Sequence, residues 1–369
     1  MAKNTYGNAL KVTLFGESHG AAIGAVVDGI SPGIPIDEAF IQHMLTLRRP
    51  SGSISTTRRE SDPWQILSGV FEGKTTGTPI CLMIPNRDTR SRDYTPSLAR
   101  PGHADYTAQC KYHGAQDYRG GGHFSGRITA ALVAVGGILI PALRRKGIEI
   151  GTHLLRCAGV GEQALAQAPL GDDARLREQL RSLGEKSFPV LEDAIGEQMI
   201  AAIDQARLAG DSVGGVLESA IVGLPAGLGE PWFDSLESQL AHALFSIPAV
   251  KGVEFGAGFA MSEMRGSEGN DPFRMCDGRV VTESNQNGGI NGGISNGMPV
   301  VFRCAVKPTP SILKQQKTVD FENGTDVDFA VHGRHDPCVA HRARVVVDSV
   351  AAMVVADLLL QRYGNDALA

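Results

Sequence analysis

Four short stretches concentrate the side chains able to move protons or hold anions. The first is Gly16-Glu17-Ser18-His19-Gly20, which follows an apolar run ending at Phe15. Its glycines let the chain turn sharply and present Ser18 and His19 at a strand end. Histidine carries protons near neutral pH. Ser precedes His directly and the G-x-S-x-G spacing is absent, so the stretch is not a hydrolase nucleophile elbow. The second is Arg100-Pro101-Gly102-His103-Ala104-Asp105-Tyr106. Pro and Gly fix a rigid turn before His103, and Arg100 disfavours a charged imidazole unless an anion lies between them. A bound phosphate would be such an anion and would make His103 a general acid.

The third stretch, Tyr118 to Arg127, holds Gly120-Gly121-Gly122, then His123, Phe124 and Ser125, and runs into an apolar helix. A glycine-rich loop at a helix N-terminus converges free N–H groups where the dipole is positive, and Arg119 and Arg127 add fork-shaped cationic donors. Neither the P-loop nor the dinucleotide fingerprint matches the spacing. The fourth is Gly333-Arg334-His335-Asp336-Pro337-Cys338, where a turn before Pro337 can bring two of the three polar side chains to one point. Gly288–Gly297 and Lys307-Pro308-Thr309-Pro310-Ser311 are further cradles. Taken one at a time, each histidine also reads as a satisfied structural residue, and each loop as an ordinary turn.

The elements that must position these groups follow from periodicity and punctuation. Short β-rich pieces are expected at Val12–Phe15, Ala22–Val27, Ile80–Ile84, Ile148–Leu155, Gly215–Val222 and Val300–Val306. Helical patterns cover Ile36–Leu47, Thr129–Arg145, Glu192–Leu208 and Ser349–Leu360. Thr129–Arg145 is apolar nearly all round, so it is expected to be buried. The polar segment Ala164–Lys186 is expected to be a peripheral insertion. Strands and helices do not alternate regularly, which argues against a doubly wound parallel sheet. One α/β domain of the α+β type over residues 1–369, with antiparallel sheets on buried helices, is the expected architecture.

Composition bounds the rest. The chain has 369 residues, 42% hydrophobic and 20% charged, with a net charge of −5. Between Arg48 and Arg127, twelve Lys/Arg stand against seven Asp/Glu, a local +5. A positive segment in an acidic protein suits a small polyanionic ligand, and equally a solvated basic face. Six cysteines without CxxC spacing suit free thiols in a reducing cytoplasm. Gly136, Gly137 and Pro141 interrupt the longest apolar run, and Met1–Lys11 has no signal-like core, so neither a membrane nor a secretory route is expected.

In combination the stretches resemble the chorismate synthase family. Gly16–Gly20, continuing to Val27-Asp28-Gly29, resembles its first signature. Gly121–Gly137 is similar to its second, and Gly333–Cys338 to its third. Arg48-Arg49-Pro50, Thr57-Arg58-Arg59-Glu60, Arg100–Tyr106, Gly227–Pro231 and Lys307-Pro308-Thr309 fit the pattern in order, from about Thr5 to about Gln361.

The resemblance implies a β-α-β sandwich fold, a cytoplasmic homotetramer, and a shikimate-pathway lyase of aromatic amino-acid biosynthesis. Such a lyase converts 5-enolpyruvylshikimate 3-phosphate to chorismate by 1,4-anti elimination of phosphate, using reduced FMN without net redox change. By the same resemblance, His103 would protonate the leaving phosphate and His19 would serve the reduced flavin. Ser18 and Asp336 would tune proton transfer. Arg48, His123, Phe124, Ser125, Gly292, Lys307, Pro308, Thr309, Pro310, Ser311 and Arg334 would hold the cofactor, and Arg49 and Arg127 the substrate; no metal is implied. His123-Phe124 stands where many members carry other polar residues, and Pro248-Ala249 where many carry Asn-Ala. An arginine that some members place after Arg48, associated with NADPH, is absent, since Ser51–Ser55 carries Ile54. The resemblance therefore leaves two sources of reduced flavin open, NADPH-driven reduction by this chain and a separate flavin reductase, with the missing arginine counting against the first. Two rivals remain: an FMN/NADPH oxidoreductase with net redox, and a non-catalytic anion- or RNA-binding protein. The acidic pI near 6.1 and only two tryptophans argue against a nucleic-acid surface.

Overall fold

The computed structural model describes residues 4–50, 52, 54–56, 61–87, 95–330 and 336–369. Two five-stranded sheets, antiparallel throughout, face each other across a layer of helices. The first sheet runs in the order Thr5–Tyr6, Lys11–Gly16, Ala22–Asp28, Ile80–Pro85, Gln65–Ser68. Its central pairing sets Ile23 opposite Ile84, Ala25 opposite Leu82 and Val27 opposite Ile80. All six are buried, so period-two alternation turns one face of the sheet inward. The second sheet runs Val250–Phe255, Val300–Val306, Gly215–Val222, Glu149–Cys157, Val160–Gly161.

Helices α1 (Glu38–Arg48), α3 (Thr129–Arg145), α6 (Leu236–Phe245) and α8 (Ala340–Tyr363) fill the space between. α3 packs on the first sheet and crosses α8, which packs on the second. Gly136 allows this crossing, since a Cβ there would lie 2.2 Å from Ser349 Oγ on α8, and Gly137 lets α1 approach, since a Cβ there would lie 2.8 Å from Ile41. The stretch Gly126–Arg145 is long and apolar enough to span a bilayer, but 89% of it is buried inside the protein.

The expected strands and three of the four expected helices stand within two residues of their expected bounds. α8 begins nine residues earlier than expected, at Ala340 rather than Ser349. Its first turns carry Arg342 and Arg344, which read as loop but are satisfied by Asp336 and by the Lys186 carbonyl. The segment Ala164–Lys186 is not a mere appendage. It contains α4 (Ala174–Glu185), whose Leu176, Leu180 and Leu183 pack with Ala220 and Val222 on the outer face of the second sheet. Each buried leucine contributes on the order of 1.5–3 kcal/mol, enough to hold the segment as a packed layer. α2 (Asp105–Tyr112) and α6 were also unanticipated.

Candidate active site

The glycine loop and the first cluster are built against each other. Ser18 N donates to the Gly122 carbonyl at 3.0 Å, and His123 Nδ1 donates to the Gly16 carbonyl at 2.7 Å. Gly120 and Gly121 have φ of +61° and +81°, a region that favours glycine. A Cβ on Gly120 would sit 2.7 Å from His19 Nε2 and 2.9 Å from Ser18 Oγ. One on Gly121 would sit 3.1 Å from His103 Cε1. The two histidines thus flank one two-residue glycine run, each filling space that a side chain would take.

His103 is held by its own turn. Asp105, the first residue of α2, accepts from Arg100 Nε and Nη2 at 2.7 Å each, and its Oδ1 lies 3.1 Å from His103 Nδ1. Burial pushes the Asp105 carboxyl up, but hydrogen bonds from Arg100 and His103 outweigh it and hold the group well below the usual carboxylate range. The anion between Arg100 and His103 is therefore built in, whereas the sequence reading looked to a bound phosphate. When Nδ1–H donates to Asp105, Nε2 is left for the other side of the ring.

A second carboxylate gathers arginines. Asp62 is fully buried and accepts from Arg48 Nη2 at 3.2 Å and from Arg127 Nη1; Arg49 Nε lies 3.6 Å away. Arg127 Nε donates to Asn86 Oδ1 at 3.0 Å, while Asn86 Nδ2 donates to the Glu17 and Gly20 carbonyls at 2.9 Å. One asparagine thus links the arginine cluster to the turn carrying His19. Burial lowers Arg48 to about 10, with Asp62 opposing the shift and Arg127 and Arg342 adding to it.

Asp336 closes the same region. It accepts from the Thr56 amide at 2.9 Å and pairs with Arg342 Nη2 at 2.6 Å, while Arg342 Nη1 donates to the Arg48 carbonyl at 3.1 Å.

These groups border a cavity of about 1030 Å³. Arg48, His103, His123, Phe124, Ser125, Arg127, Lys307, Thr309, Pro310 and Asp336 all line it. Ser18, His19, Arg49, Gly292, Pro308 and Ser311 are not among the described residues that line it. Gly292 lies on an exposed turn, and Arg334 lies outside the described residues. Pro248 and Ala249, set aside on sequence, do line the cavity. Asp62, Asn86 and Arg342 carried no local signal. Asp105 did: a carboxylate two residues after a turn histidine, opening a helix.

Comparisons with known proteins identify the family. The family model for chorismate synthase matches residues 10–360. A chorismate synthase of Korarchaeum cryptofilum is 45% identical over 98% of both chains. One of Thermococcus kodakarensis is 45% identical over 96% of this chain and 97% of its own. A crystal structure of chorismate synthase superposes with a TM-score of 0.77 at 31% identity, covering 98% of this chain and 94% of that one. With the family model matching residues 10–360 and relatives aligned over nearly the whole chain, the chain belongs to the chorismate synthase family.

Proposed function

We propose that the chain carries out its family's reaction in this cavity, with FMN as the flavin. The reaction is the 1,4-anti elimination of phosphate from 5-enolpyruvylshikimate 3-phosphate to give chorismate. The observation that carries the reading is the convergence of a carboxylate-held histidine, two buried arginines and a lysine on one cavity. The substrate bears a phosphate and two carboxylates, and Arg48, Arg127 and Lys307 offer cationic donors for them. His103 protonates the departing phosphate from Nε2, with Asp105 stabilising the charged ring.

The residues also fit FMN. Thr309 Oγ1 is buried without a hydrogen-bond partner, Lys307, whose Nζ donates to the Gly102 carbonyl, lines the same cavity, and Phe124, Ile247 and Pro310 offer apolar surface for a flat ring. Reduced FMN, when bound, supplies electron density to the breaking C–O bond and accepts the ring hydrogen, chemistry no side chain provides. Around it His19 holds a proton at Nε2, and Ser18 Oγ, buried and unpaired, is available to orient it. Asp336, fixed by Arg342 and the Thr56 amide, keeps a negative charge at the cavity wall.

Ile54, in the stretch where the resemblance sets an NADPH-associated arginine, is buried at 7% exposure, which supports a separate reductase as the source of reduced flavin. The working form is a cytoplasmic homotetramer of single-domain chains. Exposed Trp232, Phe233 and Phe259 support partner copies, the free thiols support a reducing compartment, and the core shared by both sheets supports one domain.

The test is an anaerobic assay with chemically reduced FMN, counting phosphate released per reductant oxidised. Many phosphates per reductant are expected, and none with oxidised FMN. A ratio near one would replace the lyase by an oxidoreductase.

A further inference from the structure

We infer that Asp62 is a positioning residue for the substrate's anionic groups, acting through the arginines it gathers rather than by touching the substrate. Asp62 has no exposed surface, so it cannot meet a ligand itself. Its two oxygens are divided between elements far apart in sequence. Oδ2 takes Arg48 Nη2 at the end of α1, with Arg49 Nε nearby, and Oδ1 takes Arg127 Nη1 in the turn before α3. Arg48 and Arg127 are also buried, at 8% and 5% exposure, yet both line the cavity. Arg48, held from behind through Nη2, and Arg127, held through Nη1 with its Nη2 3.5 Å from the Pro85 carbonyl, have their guanidinium groups fixed at the cavity wall. Arg127 is further held by Asn86, so the cluster is registered against the His19 turn. The backbone at Asp62 has φ of +46°, a conformation Asp and Asn tolerate better than other side chains.

The inference rests on the reading of the cavity as the substrate site, and a simple sign separates position from charge. 5-Enolpyruvylshikimate 3-phosphate is a polyanion. If Asp62 only balanced charge, neutralising it would leave a more positive cavity and tighter binding. If Asp62 positions the arginines, neutralising it frees them and binding weakens despite the added positive potential.

The experiment measures the dissociation constant of 5-enolpyruvylshikimate 3-phosphate by calorimetry in the presence of oxidised FMN, where no turnover occurs. It compares the parent chain with Asp62→Asn, Asp62→Glu and Arg127→Ala, with folding checked by near-UV circular dichroism. Asp62→Asn keeps the shape and the tolerance for positive φ, and is expected to bind roughly 10–100-fold more weakly, the scale of one or two lost charge-assisted hydrogen bonds. Asp62→Glu keeps the charge but lengthens the side chain in a sealed site, and is expected to weaken binding in the same direction. Unchanged or tighter binding by a folded Asp62→Asn overturns the inference. Normal binding by a folded Asp62→Glu does so too, because charge without geometry would then suffice. If neither variant folds, Asp62 is a folding residue and the positioning role is lost. Arg127→Ala tests the underlying reading: unaltered substrate binding there refutes the substrate assignment of the cavity, whatever the Asp62 variants do.

Discussion

Replacing Asp105 by Asn should cut turnover sharply, by removing the charge that stabilises the protonated His103 ring. The carboxylate lies 3.1 Å from His103 Nδ1, so the charged imidazole loses a direct electrostatic partner. Coulomb's law at that distance gives about 1 kcal/mol in a water-like dielectric and about 5 kcal/mol at the effective value for protein sites. The two side chains are 20% and 16% exposed, which places the loss between these limits. Arg100 acts in the same direction, because its Nη2 also sits 3.1 Å from Nδ1 and would face the ring with no carboxylate between. At about 1.4 kcal/mol per tenfold, a loss of that size should lower kcat roughly 10²-fold. The assay is phosphate release with saturating reduced FMN under anaerobic conditions, across pH. Asp105→Asn should lose turnover at every pH tested, with little change in substrate KM. An unchanged kcat with a raised KM would mean that Asp105 serves substrate binding rather than the ring. Full turnover at neutral pH would remove His103 from the proton transfer.

Three further outcomes follow from other parts of the molecule. Gly121→Ala places a Cβ 3.1 Å from His103 Cε1 at φ +81°, so a loss of roughly 1–3 kcal/mol in stability is expected, together with a turnover defect larger than any change in substrate affinity; chemical denaturation and steady-state kinetics check both, and normal turnover would show that the histidine has room to give. Asp348 is fully buried on α8, and burial pushes its carboxyl up to about 6, with Arg344 and the Thr152 hydroxyl opposing the shift. A raised carboxyl favours folding at low pH, and that contribution fades as pH rises from about 4 through about 6, so Asp348→Asn should gain up to about 3 kcal/mol over the parent at pH 8 and only about 1 kcal/mol at pH 4.5; equal differences in melting temperature at both pH values would contradict it. His19→Ala should cut turnover roughly 10²–10⁴-fold with little loss of fold, since the ring packs against Gly120 in a surface turn; near-normal turnover would leave His19 a structural residue.

Much of the architecture was legible in the chain because its signals are local. Alternating apolar residues at Ala22–Val27 and Ile80–Ile84 mark strands with one buried face, and the all-round apolar Thr129–Arg145 could only be a core helix. Where polarity misled, long-range partners were responsible. The first turns of α8 look like loop until Asp336 and the Lys186 carbonyl take up their arginines, and α4 looks peripheral until its three leucines meet Ala220 and Val222.

The candidate site divides along the same line. The sequence by itself determined the chemical inventory: His19, His103, the glycine run, Arg48, Arg127, Lys307 and Asp336, each inside a short stretch whose residue types and turns announce it. Only the tertiary structure decided which of these share a cavity, leaving Gly292, Pro308 and Ser311 outside it. It alone also showed that Asp62 binds Arg48 and Arg127, that Asn86 bridges to the His19 turn, and that Arg342 holds Asp336. A hydrogen bond is short-ranged in space and indifferent to sequence separation. A carboxylate 65 residues from its arginine therefore leaves no periodicity or spacing to read, and becomes visible only when the helical layer brings the two together.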